Sequence, residues 1–109
     1  MQKDEILDII KQIHINPIFS GYRMGLAGSY ANGTSESHSD IDIVVSTDSL
    51  TIPQIDLIKS YFKGFDVDVL QLELLRQEDE SLDSFSLSMN LPINNNSVYK
   101  TVSKEVIWV

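Results

Sequence analysis

Asp40 and Asp42 stand one residue apart at the head of an apolar run, Ile41, Ile43, Val44 and Val45. In an extended strand, residues i and i+2 share a face, with Cβ atoms roughly 6–7 Å apart. The two carboxylates therefore project together, while Ile41, Ile43 and Val45 project the other way and demand a core. A chain with this segment must build a sheet that buries one face and leaves acid on the other. Like charges about 4 Å apart repel by about 4 kcal/mol at an effective dielectric of 20, so converging carboxylates are costly without a cation. Mg²⁺–oxygen bonds are about 2.0–2.1 Å, and paired ions in phosphoryl-transfer sites sit about 3.5–4 Å apart. Two carboxylates at this spacing can both reach such a pair. A bare D-x-D by itself fits a charged sheet face spread into solvent better than a metal site.

The residues ahead of it bear on that choice. Gly28, Ser29, Tyr30, Ala31, Asn32, Gly33 and Thr34 form a glycine-framed turn. Its Gly28-to-Gly33 spacing matches a phosphate-binding P-loop, but no basic residue lies between Arg23 and Lys59 to supply that loop's lysine. Gly25, Gly28 and Gly33 do not make the dinucleotide pattern G-x-G-x-x-G. Val44 and Val45 occupy positions where a calcium loop needs oxygen and glycine. What survives is a Gly-Ser turn whose N–H groups and hydroxyl can hold phosphate oxygens.

Taken together, G-S-x-A-x-G, six residues, then D-x-D resembles the signature of the minimal nucleotidyltransferases, in the DNA polymerase β-like nucleotidyltransferase superfamily. The resemblance implies that Gly28 and Ser29 contact the nucleotide's terminal phosphates, with Asn32 and Gly33 in the same turn. It implies that Asp40 and Asp42 bind two Mg²⁺ ions and that a third carboxylate on a neighbouring strand completes the site. That carboxylate sits in a V-D-V segment in the family, which here is Asp68. Asp66, one step back on the same face, is the alternative. Many relatives carry arginine where this chain has Asn32.

Composition sets the frame. The chain has 109 residues, and 42% hydrophobic and 22% charged residues are ordinary for a globular protein. One domain over 1–109 is expected. No apolar run approaches the length of a membrane span, and the acidic start, Met-Gln-Lys-Asp-Glu, lacks a signal-peptide pattern. Cysteine is absent, which excludes disulfides and thiolate metal sites and fits a cytoplasmic protein. The net charge of −8 disfavours free nucleic acid and anionic membranes as partners and favours a basic protein.

Along the chain, Ile6, Leu7, Ile9, Ile10 and Ile13 predict a helix over Lys3–His14, ended by Asn16-Pro17. His14 reads as a helix-end residue. Tyr22–Ala27 reads as a strand, with Gly25 marking a close backbone approach. A short helix or turn over Ser29–Asn32 follows, with Tyr30 packing inward. Thr34–Ser39 is a polar loop in which Glu36 and His38 face solvent. Ser39–Ser46 is the second strand. Thr51 or a neighbour is expected to cap a helix with Pro53 in its first turn and Gly64 at its end. Phe65–Leu72 reads as the third strand, with Phe65, Val67 and Val69 on one face and Asp66 and Asp68 on the other. Glu73–Ser88 is weakly patterned, and its run Gln77–Glu80 reads as a solvated loop or helix surface. Asn90–Ser97 is a connection, Ser97–Lys104 a short helix and Glu105–Val109 a last strand.

The expected fold is therefore α/β in the α+β sense: a small mixed sheet, helices mainly on one face, palm-like as in polymerase β. The resemblance implies transfer of a nucleoside monophosphate, AMP from ATP, to a hydroxyl. Members of this size resemble antitoxins paired with a HEPN-type ribonuclease toxin, and a tyrosine of that partner is the expected acceptor. An oligomeric complex would follow. The alternative is a binding protein that neutralises its partner by complex formation alone.

Overall fold

The computed structural model describes residues 1–109. The chain runs α1 (Lys3–Ile15), β1 (Met24–Ala27), α2 (Gly28–Asn32), β2 (Ile41–Val45), α3 (Ile52–Ser60), β3 (Val67–Gln71), α4 (Leu72–Ser88), α5 (Val98–Glu105) and β4 (Ile107–Trp108). A 3₁₀ turn, Pro17–Phe19, sits between α1 and β1. The strands form one mixed sheet in the order β3-β2-β1-β4. β1 is antiparallel to both β2 and β4, and β2 is parallel to β3 through the α3 crossover. No helix is long and apolar enough to cross a membrane.

The two faces of the sheet are packed unequally. Ile41, Ile43 and Val45 enter the main core with Ile6, Ile10 and Ile13 of α1 and Ile58 of α3. That is the alternation the strand pattern predicts. On the other face a cluster of three buried residues, Ala27, Val44 and Val102, packs against Leu72 and Trp108. The α+β mixed sheet is thus as expected, with the larger core on one face.

Local chemistry sets the element ends. Gln54 N–H donates to Thr51 Oγ1 at 3.3 Å and Thr51 N–H donates to Gln54 Oε1 at 2.9 Å, a reciprocal cap that starts α3. His14 ends α1 by donating from Nε2 to the Tyr22 carbonyl at 2.6 Å, which ties the helix to the entry of β1. Gly25 lies under β4: an added Cβ would stand 2.6 Å from the Ile107 carbonyl oxygen and 2.7 Å from Val106 Cγ2.

Several boundaries depart from the sequence reading. β1 begins at Met24 rather than Tyr22, because Arg23 N–H donates to Ser46 Oγ rather than to a strand. β2 begins at Ile41, so Asp40 lies just ahead of the strand. α3 ends at Ser60, before the Tyr61–Gly64 turn. β3 begins at Val67, and Phe65 is exposed instead of sharing the core face. Its N–H donates back to the Phe62 carbonyl, in a turn that Gly64 closes at φ +84°. β4 is only Ile107–Trp108, because α5 keeps Glu105 and Val106 N–H still bonds to the Val102 carbonyl.

The largest departure is in the acidic run. Glu73–Ser88 belongs to one 17-residue helix, α4, and Asp79 within Gln77–Glu80 is buried. Lys100 of α5 reaches it: its Nζ lies 3.0 Å from Asp83 and 3.7 Å from Asp79, and donates to the Asn94 carbonyl at 2.7 Å. This clasp holds α4 to α5 across the connection between them. A buried carboxylate is tolerated here because its cation is supplied from the facing helix.

The close approach of β4 gives a direct test. Gly25→Val is expected to lower stability by about 2–3 kcal/mol in urea unfolding, because the colliding Ile107 carbonyl belongs to the backbone. Gly21→Ala, with open space around it, serves as the near-neutral control.

Candidate active site

The acidic patch is built by strand register. Parallel pairing sets Asp42 level with Asp68, and Ile41 level with Val67. Level residues on neighbouring strands point to the same face, with the strands about 4.8 Å apart. The same register puts Asp40 beside Asp66, whose carbonyl accepts from Ile41 N–H at 2.9 Å. Asp40, Asp66 and Asp68 are exposed, while Asp42 is half-buried. Four carboxylates thus share one end of the β2–β3 pair, three of them open to solvent.

The glycine turn closes over the buried member. Antiparallel pairing sets Ala27 opposite Asp42, so the chain leaves β1 beside that carboxylate. Gly28 follows at φ +72°, and a Cβ there would lie 2.1 Å from Asp42 Oδ2. Glycine is required twice over, by backbone conformation and by the carboxylate resting on its Cα. Ser29 is half-buried in the first turn of α2, where backbone N–H groups have no partner inside the helix. Tyr30 and Ala31 are buried and anchor α2 to the core, which is the packing role expected of Tyr30.

The far end of the turn is self-contained. Gly33 ends α2 in the left-handed region at φ +83° and donates to the Ser29 carbonyl. The Asn32 side-chain oxygen accepts from both the N–H and the hydroxyl of Thr34. Asn32 therefore shapes the loop, and only its amide NH₂ remains to meet a ligand. The sequence reading missed Thr34; an Asn two residues before a Thr at a glycine turn is the signal for such a closure. His38 is exposed, 3.5 Å from Glu36, in the loop expected to face solvent.

Electrostatics single out Asp42. Burial first, then the charges of Asp68 and Asp40, raise its pKa from 3.8 to about 6. The patch is thus strained by its own charge. No three of its acidic or histidine side chains converge tightly enough to make a ready-made metal cluster. The donors are all hard carboxylate oxygens, which suit Mg²⁺ or Mn²⁺ and not a thiophilic ion. The charge that burdens Asp42 is what such an ion would relieve, so Asp40, Asp42 and Asp68 fit the group in chemistry.

The site is thus a Gly-Ser turn closed on strand-borne carboxylates. Residues 3–109 match the nucleotidyltransferase domain family, and the chain belongs to that family. Nucleotidyl transfer is the reaction class that goes with it. No curated protein matches the chain.

The raised carboxylate has a measurable consequence. The folded state holds the Asp42 proton more tightly than the unfolded chain does. Stability therefore falls as pH rises from about 4 to about 6, and stays lower above that. After allowance for solvent screening the loss is about 1–2 kcal/mol. Asp42→Asn should be more stable than the wild type by that amount at pH 7.5 and equal to it at pH 3.5, by urea unfolding. Millimolar Mg²⁺ should stabilise the wild type at pH 7.5 and leave Asp42→Asn unmoved.

Proposed function

We propose that this domain transfers AMP from ATP to a hydroxyl on a partner protein, a tyrosine of a HEPN-type ribonuclease toxin, and so acts as an antitoxin. The observation that carries the transfer reading is the parallel register that levels Asp42 with Asp68 beside the Gly28–Ser29 turn. The net charge of −8 supports a basic protein as partner.

In this reading the Gly28 and Ser29 N–H groups and the Ser29 hydroxyl hold the β- and γ-phosphates, which leave as pyrophosphate. Asp40, Asp42 and Asp68 would hold divalent metal, which offsets the charge of the phosphates and lowers the pKa of the acceptor hydroxyl. Asp68, exposed at the edge of the patch, accepts the proton of that hydroxyl as its oxygen bonds to the α-phosphorus. The bond from the α-phosphorus to the bridging oxygen of the β-phosphate breaks, and pyrophosphate departs. Gly28 lets the phosphates approach closely, and the rigid anchoring of α2 by Tyr30 keeps the donors aimed.

A binding-only antitoxin is the second reading, and one observation favours it. Asn32 stands where many relatives place arginine, and its side-chain oxygen is turned onto Thr34. No cation of the turn itself then meets the phosphates.

Intact-mass spectrometry separates the two. With ATP, Mg²⁺ and the partner, the wild type should add one or more AMP masses to the partner. Asp40→Asn/Asp42→Asn should add none, a loss of at least about a hundredfold in rate. No mass gain with wild type, in a complex that both proteins form equally well, would replace transfer by binding alone.

A further inference from the structure

An unpartnered apolar surface lies on α4. Leu74, Glu78, Leu82, Phe85 and Met89 recur at helical spacing and share one face. Leu74, Leu82, Phe85 and Met89 are 39%, 64%, 58% and 58% exposed. The opposite side of the helix is spent on the molecule itself: Leu72 packs into the second cluster, and Asp79 and Asp83 hold Lys100. Residues 81–99 contain a single charged residue, Asp83, and Lys100 neutralises it. Exposed aromatic and methionine side chains in a charge-poor field are the composition of an interface centre.

We infer that this stripe of α4 docks a partner protein through an apolar strip flanked by lysine or arginine. Charge complementarity decides the occupant. Glu78 interrupts the stripe without an ion-pair partner, whereas Arg76 beside it is consumed by Glu73 at 2.8 Å and Glu80 at 2.8 Å. The stripe thus carries one uncompensated acid and no free cation. A second copy would bring the same acid to meet itself, on a chain already at −8. A strip edged with basic residues pairs its charges with Glu78 while its centre covers Leu82 and Phe85. The amphipathic spacing suits a helix laid alongside, in the helix-in-groove manner.

The stripe also has a fixed relation to the acidic patch. β3 passes into α4 without a loop, Gln71 to Leu72, so Asp68 and the helix start lie on one continuous strand–helix unit. Leu72 packs against the cluster of Ala27, Val44 and Val102, and Val44 shares its sheet face with Asp42. A partner lying along α4 is held on the side of the sheet that carries the carboxylates. The surface therefore supplies the docking that a protein acceptor needs and that the acidic patch lacks. The inference rests on the proposed function for there being a protein partner, and not for the transfer chemistry.

The test uses the full chain, ¹⁵N-labelled, without nucleotide. The probe is a synthetic amphipathic helix of leucine and lysine, with a leucine–glutamate helix of the same pattern as comparator. The lysine helix should shift amide signals around Leu82, Phe85 and Met89, and the glutamate helix should not. Leu82→Ser/Phe85→Ser changes no charge and should weaken binding of the lysine helix about tenfold or more. Both side chains are exposed, so an unchanged circular dichroism spectrum is expected to confirm the fold. Asp40→Asn/Asp42→Asn should bind the probe like the wild type, which keeps docking and transfer separable. The inference is overturned if Leu82→Ser/Phe85→Ser binds undiminished, or if the shifts gather on Asp40–Asp42 instead. It is equally overturned if sedimentation shows wild-type dimers that this variant abolishes, since a second copy would then own the stripe.

Discussion

Parallel pairing of β2 with β3 puts two carboxylates side by side, and the rest of the chain is arranged around that repulsion. Asp42 and Asp68 are level because Ile41 is level with Val67. A slip of β3 by one residue would turn Asp68 toward the core and Val67 and Val69 out to water. The α3 crossover exists to make the pairing parallel, and β1 runs antiparallel so that its end arrives at Asp42. Even the glycine after β1 is fixed by this meeting, since no side chain fits between Gly28 and the Asp42 carboxylate.

What offsets the repulsion lies on the other face of the sheet. Ile41, Ile43 and Val45 are fully buried, each one residue from the acidic face, and they join a core of 14 buried residues. The same strand thus stabilises the fold with one set of side chains and strains it with the other. Asp42 shows the strain as a carboxyl that holds its proton up to about pH 6. An acidic group kept half-buried among like charges, beside the Gly28–Ser29 turn, is expensive as structure and useful as a site. The partial cover comes from α5 and Leu72, which bury Val44 but leave the aspartates at the strand starts open.

Much of this was legible in the residues. The apolar alternation of Ile41, Ile43 and Val45 told which side Asp42 takes, and the V-D-V segment pointed to Asp68 as its neighbour. Gly25 announced a close backbone approach, which β4 makes, and Thr51 with Pro53 announced the start of α3. The failures have local causes. Asp40 and Phe65 were read as strand residues because apolar alternation continues past the point where backbone pairing stops. Asp79 was read as solvated because a charge run looks alike whether or not a lysine from a later helix reaches it. That lysine, Lys100, is 21 positions away in the sequence, beyond what local pattern can reveal. The exposed stripe of α4 was hidden for the same reason: weak amphipathicity does not tell which face the fold will use.

The central claim is that the Asp42–Asp68 pair and the Gly28–Ser29 turn form one nucleotide site. A crystal grown with Mn²⁺ and a non-hydrolysable ATP analogue tests it most directly, because manganese is located by its anomalous scattering. The account predicts manganese bonded to carboxylate oxygens of both Asp42 and Asp68, with the terminal phosphates on the backbone of Gly28 and Ser29. Nucleotide bound elsewhere, or manganese absent from this pair while triphosphate is bound, would contradict it.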